Sequence, residues 1–258
     1  MLFRSTDLDS NQVKLPIHIG DEEDFQPLFD LVLVLVKSYQ TQGIAEKAAQ
    51  LLNRKNPDAV ILSLQNGLGN QQFLETASPG RVLVGTTTLG ARLNGLGQVF
   101  HTGEGNMILP NRVSVDLLET FKRAGFQVGV SDNLNGLIWT KLAVNAAINP
   151  LTAMLRVNNG FLKENERCLK WMKSICKEIE SLAHSEGIRL IEKPVYPYVL
   201  SVAQKTANNR SSMLSDIEAG RPTEIDAICE SLIEIAEQHN LQVPFLKRAY
   251  AGVKAAEQ

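Results

Sequence analysis

Between Trp139 and Pro150 the chain reads Trp-Thr-Lys-Leu-Ala-Val-Asn-Ala-Ala-Ile-Asn-Pro, a helical stretch that is apolar on nearly every side from Leu142 to Ile148. Lys141, Asn145 and Asn149 interrupt it. Their i, i+4, i+8 spacing stacks an ammonium and two carboxamides in one stripe that drifts by about 40° per step. Such a helix is suited to burial, and a buried polar group left without a partner costs about 1–3 kcal/mol, a charged one more. The stripe therefore either lines a pocket for a polar ligand or forms a satisfied polar seam between helices. A buried lysine is rare without a carboxylate or a task, which favours the pocket. Desolvation lowers a lysine's pKa and makes its proton easier to donate, so the chemistry expected is proton transfer to a small polar substrate.

A second candidate runs from Asn208 to Asp226, where Gly220 is expected to close one helix and Pro222 to open the next. Glu224 then falls in a first helical turn, where the dipole favours an acid whatever its function, and Ser211 and Ser212 suit helix N-caps. A third set follows from topology. In an open parallel sheet, ligands bind beyond the carboxyl ends of the strands. Three such ends are polar or glycine-rich: Lys37-Ser38-Tyr39-Gln40, Gln65-Asn66-Gly67-Leu68-Gly69 and Thr86-Thr87-Thr88. Gly67-Leu68-Gly69-Asn70-Gln71-Gln72 approaches the dinucleotide fingerprint, but Gln72 stands where the third glycine belongs and no acid follows about 20 residues on.

The elements that must position these residues are readable from periodicity. Strands are expected at Leu31–Val36, Ala59–Leu64 and Val82–Thr88, with helices at Ile44–Leu52 and Asn70–Thr76 between them. The strands are continuous apolar runs, as in a parallel sheet covered on both faces. Antiparallel strands are expected near Leu89–Leu93, Gln98–His101 and Met107–Leu109, then a helix at Val113–Ala124 and a strand at Gln127–Val130. Nine of the 18 glycines lie between Gly67 and Gly105, marking this as the region of tight turns. After Ser131 the pattern is helical: Asn135–Met154, Glu164–Glu186, Pro194–Ala207, Ser211–Ala219, Thr223–His239 and Pro244–Ala256. The fold class is thus α/β, a truncated Rossmann-like parallel sheet domain over 1–131 followed by an all-helical domain over 132–258.

With 258 residues, 44% hydrophobic and 21% charged, the chain has the balance of a globular protein. A net charge of -2, divided evenly along its length, argues against nucleic acid or anionic lipid as partner. The longest apolar run, Leu31 to Val36, is far short of the roughly 20 residues a membrane helix needs, and no signal-peptide core is present, so a cytoplasmic location is expected. Three cysteines without a CxxC and four scattered histidines suggest buried thiols and no metal.

Taken together, Asp30-Leu31-Val32-Leu33-Val34-Leu35-Val36-Lys37, Gln65–Gly69, Gly85-Thr86-Thr87-Thr88, Lys141 to Ala153, Asn159-Gly160 and Ser211 through Asp226 resemble the ketopantoate reductase (2-dehydropantoate 2-reductase) family. The resemblance implies NADPH-dependent reduction of ketopantoate to pantoate in pantothenate biosynthesis. It implies that Lys141 is the general acid and Glu224 the carboxylate that orients the lysine and the substrate hydroxyl. Asn145, Asn149, Asn209 and Ser212 match positions that hold the substrate, and Lys37, Gln40, Asn66 and Gly67 match cofactor contacts. A homodimer is compatible with it.

One departure stands out. The family opens with a strand, a glycine fingerprint and a helix, and nothing before Asp30 matches them. Residues 1–30 carry 7 Asp+Glu against 2 Lys+Arg and resemble a later edge segment. A truncated gene model or a gene remnant is expected ahead of a redesigned cofactor site, and weak NADPH binding, aggregation or a borrowed strand is the expected consequence. A catalytically silent binding protein and a reductase for another 2-keto acid remain the alternatives.

Overall fold

The computed structural model describes residues 2–6, 12–16, 20, 28–93, 95 and 97–258. Contacts divide the chain into two compact units. One takes in 1–35, 41–65 and 71–134, the other 36–40, 66–70 and 135–258. The helical unit thus also holds two short loops that lie within 1–131 in sequence.

In the first unit β3 (Leu31–Val34), β4 (Val60–Ser63) and β5 (Val82–Val84) form a parallel sheet in chain order, linked by α1 (Thr41–Leu51) and α2 (Asn70–Ala77). Adjacent residues Ile61 and Leu62 are both fully buried, so both faces of β4 are covered, as the unbroken apolar run requires. β3 is an edge strand among the described residues, and Leu33 and Leu35 beside its end are exposed.

The expected strand 82–88 is two strands. Gly85 stands at the break, where a side chain would press into Leu64, Leu109 and the Ile108 carbonyl. Beyond it β6 (Thr86–Thr87) joins β9 (Met107–Pro110) and β10 (Val128–Ser131), following α3 (Val115–Arg123), in a separate sheet. β9 runs antiparallel to β6, as expected of a returning strand, but parallel to β10. β1 (Leu2–Thr6) and β2 (Gln12–Pro16) form a hairpin, and β1 pairs in parallel with β8 (Gln98–Gly103), which pairs with β7 (Gly90–Leu93). The rest of the acidic stretch before Leu28, apart from Gly20, lies outside the described residues.

The second unit is built from α4 (Leu134–Leu155), α5 (Phe161–Glu164), α6 (Glu166–Ser185), α7 (Val195–Lys205), α8 (Ser212–Glu218), a π-helical turn (Asp226–Glu230), α9 (Ser231–Gln238) and α10 (Pro244–Ala256). Its core gathers Leu142, Ala146, Met172, Ile175, Ile179, Val199, Leu232 and Leu246. The helix expected at 164–186 breaks at Asn165, whose side chain caps α6 by accepting from the Arg167 and Cys168 amides. Neither α7 nor α10 begins with a side-chain cap of its own. Glu180 accepts from the Val195 amide at 2.5 Å, and Glu178 accepts from the Phe245 and Leu246 amides, both at 2.9 Å. Two acids on α6 therefore close the open donors of two other helices.

All three cysteines are buried and free. Among the described residues no helix is long and apolar enough to cross a membrane, and no group of three or more His, Cys, Asp or Glu could hold a metal ion.

Candidate active site

The stripe on α4 lies on a helix buried almost all round, from Trp139 and Thr140 through Ala153. Asn149 is buried, while Lys141 and Asn145 are partly buried. Burial pulls the Lys141 amine down from 10.5 to about 8, and the negative charge of Glu224 opposes that fall without cancelling it. Lys141 and Glu224 thus act on each other, and desolvation prevails.

Glu224 is itself buried. The helix expected to open at Pro222 starts later, so Glu224 precedes it. Its carboxylate does not serve that helix's amides: Oε1 accepts from the Ser38 amide at 3.1 Å and Oε2 from Asn66 Nδ2 at 3.2 Å. The Lys37 ammonium lies 3.8 Å from Oε2. The two short loops of this unit thus reach the same carboxylate, 36–40 through Lys37 and Ser38 and 66–70 through Asn66.

Gly67 makes that approach possible. Its φ of +80° is a conformation glycine adopts freely, and a Cβ there would lie 2.5 Å from the Ala227 carbonyl oxygen and from its Cβ. The neighbouring Leu68 amide donates to that carbonyl at 2.9 Å. The π-helical turn supplies the acceptor: the Ser231 amide reaches back to the Asp226 carbonyl, and Ala227 O accepts from the Ser231 hydroxyl at 2.8 Å as well as from Leu68. Gln40 is exposed, and its side chain accepts from the Lys37 amide at 3.2 Å.

The remaining expected substrate residues, Asn209 and Ser212, are both exposed. Asn209 is exposed, and its carbonyl accepts from the Asn159 amide. Ser212 is exposed in the first turn of α8, and the capping role falls on Ser211, which accepts from the Leu214 amide. Thr152 donates to Ser211 Oγ at 2.8 Å, which ties the α8 N-terminus to α4 one turn beyond Asn149.

Asp216 escaped the sequence reading. It is buried, and its carboxylate takes Lys37 Nζ at 2.6 Å and Arg221 Nη2 at 2.9 Å. The available signal was an acid three residues after Met213 on the buried face of α8, where an uncompensated charge would not be tolerated.

Residues 3–113 match the family model described as ketopantoate reductase PanE/ApbA, and residues 133–257 match the model of its C-terminal domain. A 2-dehydropantoate 2-reductase of Pyrococcus horikoshii is 36% identical over 234 residues, covering 88% of this chain and 76% of that protein. A crystal structure of a PanE/ApbA family ketopantoate reductase from Ralstonia eutropha superposes with a TM-score of 0.89 at 27% identity, covering 99% of this chain and 84% of that one. D-mandelate dehydrogenase in complex with NADH gives 0.82 at 26% identity, over 88% and 79%. A Rossmann-like sheet followed by a helical C-terminal region, with a match along most of its length, makes this chain a member of the ketopantoate reductase family of oxidoreductases.

Proposed function

We propose that the protein reduces ketopantoate to pantoate with NADPH, with 1–131 as a partial dinucleotide-binding domain and 132–258 as the substrate and catalytic domain. The observation that carries this reading is the polar stripe on the otherwise buried α4, where the partly buried Lys141 has its amine lowered to about 8 by desolvation and is acted on by the charge of Glu224. A group with that pKa is protonated in most molecules at pH 7 yet gives up its proton more readily than an ordinary lysine. Lys141 donates to the carbonyl oxygen as it becomes an alkoxide. Glu224, held by Ser38 and Asn66, keeps the ammonium oriented. Asn145 and Asn149, one and two turns along α4, hold the polar groups of the substrate, joined by Asn209 and Ser212.

When bound, NADPH supplies the hydride. Lys37, Gln40, Asn66 and Gly67 would hold its reacting end, and Gly69 beside them, at φ +86° with open space where a Cβ would stand, leaves room for close approach. This sequence contains no G-x-G-x-x-G run of the kind that cradles a pyrophosphate. The reading carries with it a cytoplasmic location and a homodimer, the latter measurable by sedimentation.

The test is an NADPH titration of the purified protein followed by ketopantoate-dependent loss of NADPH absorbance. Saturable binding and turnover support the reading. Ketopantoate binding with no response to NADPH would turn it into that of a silent binding protein. The likeness to D-mandelate dehydrogenase favours one further reading, a reductase of another 2-keto acid, which faster turnover of an aryl 2-keto acid would establish.

A further inference from the structure

Glu224 lies in a non-helical stretch, and its carboxylate must meet Ser38 and Asn66 at 3.1 and 3.2 Å. What holds the backbone on either side of it comes from α10. Glu257, next after that helix, accepts from both the amide and the hydroxyl of the buried Thr223, at 2.8 and 2.7 Å. Thr223 Oγ1 in turn accepts from the Ile225 amide, spanning Glu224. Lys254 lies 3.3 Å from Asp226 and 3.3 Å from Glu257. Tyr250 donates to Glu230 at 3.0 Å. Positions 250, 254 and 257 fall on one helix face and engage 230, 226 and 223 in reverse order, a zipper whose far end is the residue before Glu224.

We propose that Glu257 is a positioning residue for the reaction: through Thr223 it holds the Glu224 carboxylate in register with Lys141. This rests on the proposed reductase chemistry only for its turnover arm. Burial opposes the charge of Glu257, but the Thr223 donors outweigh it and keep the carboxyl below the usual range, so the clamp is ionised at neutral pH. Among the described residues, the charged groups that act on Glu224 include Lys141 on α4, Lys37 after β3 and, through Lys37, Asp216 on α8 with Arg221. If the 223–225 backbone drifts, the hold of the Glu224 charge on Lys141 weakens, and the lysine's titration moves further down.

The experiment measures acetylation of Lys141 by acetic anhydride against pH, read by mass spectrometry on the folded protein, in wild type, Glu257→Ala, Glu257→Gln, Thr223→Val and Glu224→Gln. Glu224→Gln should lower the Lys141 midpoint most, Glu257→Ala should shift it the same way, and Thr223→Val should shift it less. Glu257→Gln should recover most of the wild-type midpoint, because its amide oxygen can still accept from Thr223. In the turnover arm, kcat of Glu257→Ala should fall about 10- to 100-fold with its alkaline limb displaced downward. An unchanged midpoint in Glu257→Ala, or a loss of melting temperature with no shift, overturns the proposal and leaves Glu257 a structural clamp. Should Glu257→Ala not fold, Thr223→Val against Glu257→Gln decides by the same criterion. An unchanged midpoint in Glu224→Gln also overturns it. A wild type that does not turn over ketopantoate refutes the proposed function, while the labelling still decides the role of Glu257.

Discussion

α4 and α6 are the two long helices of one unit, and they use their polar residues in opposite ways. α6 is amphipathic, with a buried face around Met172, Ile175 and Ile179, and its two half-buried acids go to the amides that open α7 and α10. Its polar groups are absorbed by the fold. α4 is buried nearly all round, yet it keeps an ammonium and two carboxamides in line, and the ammonium is under strain from burial that Glu224 relieves only in part. A helix that stabilises matches every buried charge to a backbone donor; one that works carries a charge the fold does not want.

The comparison breaks first at Lys141. Lys141→Met should lower turnover by about 10²–10⁴-fold, the usual worth of a positioned general acid. Turnover within twofold of wild type would remove Lys141 from the chemistry. The same variant should be more stable than wild type at pH 7, on the order of 1–3 kcal/mol, since a charge disfavoured by burial is removed. A denaturant midpoint below that of wild type would contradict this.

On α6 the effects should reverse. Glu178→Ala should cost about 1–2 kcal/mol, a fall of about 2–5 °C in melting temperature, because two α10 amides lose their acceptor. Turnover per folded molecule should hardly change, and a large loss of kcat without loss of stability would erase the distinction between the helices. The smallest effect is on pH dependence. The folded pKa of Lys141 is about 8 against 10.5 for the free side chain, so between those values the unfolded chain binds more protons. This group's contribution to stability therefore rises as pH rises from about 8 to 10.5, and turnover falls over the same window as the acid is lost. Urea titrations of wild type and Lys141→Met across that window would isolate the slope.

Much of this organisation could be read before any coordinates. The continuous runs at Leu31, Val60 and Val82 gave the parallel sheet because two covered faces leave no alternation, and the Lys141 stripe was visible because helical spacing is local. Glu224 was ambiguous. As a first-turn acid it suited a helix dipole, and only its bonds to Ser38 and Asn66, more than 150 residues away in sequence, separate it from that role. The partners of Asp216 and Glu257 were hidden for the same reason, since nothing near either names Lys37 or Thr223. The break at Gly85 went unread because what forbids a side chain there is Leu64, just past β4, and Leu109 in β9. Local pattern reports what a residue prefers; a site is made of what distant residues supply.

The turn at Asp226–Glu230 has one residue more than an α-helical ladder accommodates, and that surplus frees Ala227 to receive Leu68. Deleting a single residue there would let the ladder close on itself and rotate everything beyond it by about 100°. The carbonyl would be withdrawn, and Gly67 would face a neighbour it was never shaped to meet. Seldom is a helix so dependent on an irregularity: here the miscount is the socket.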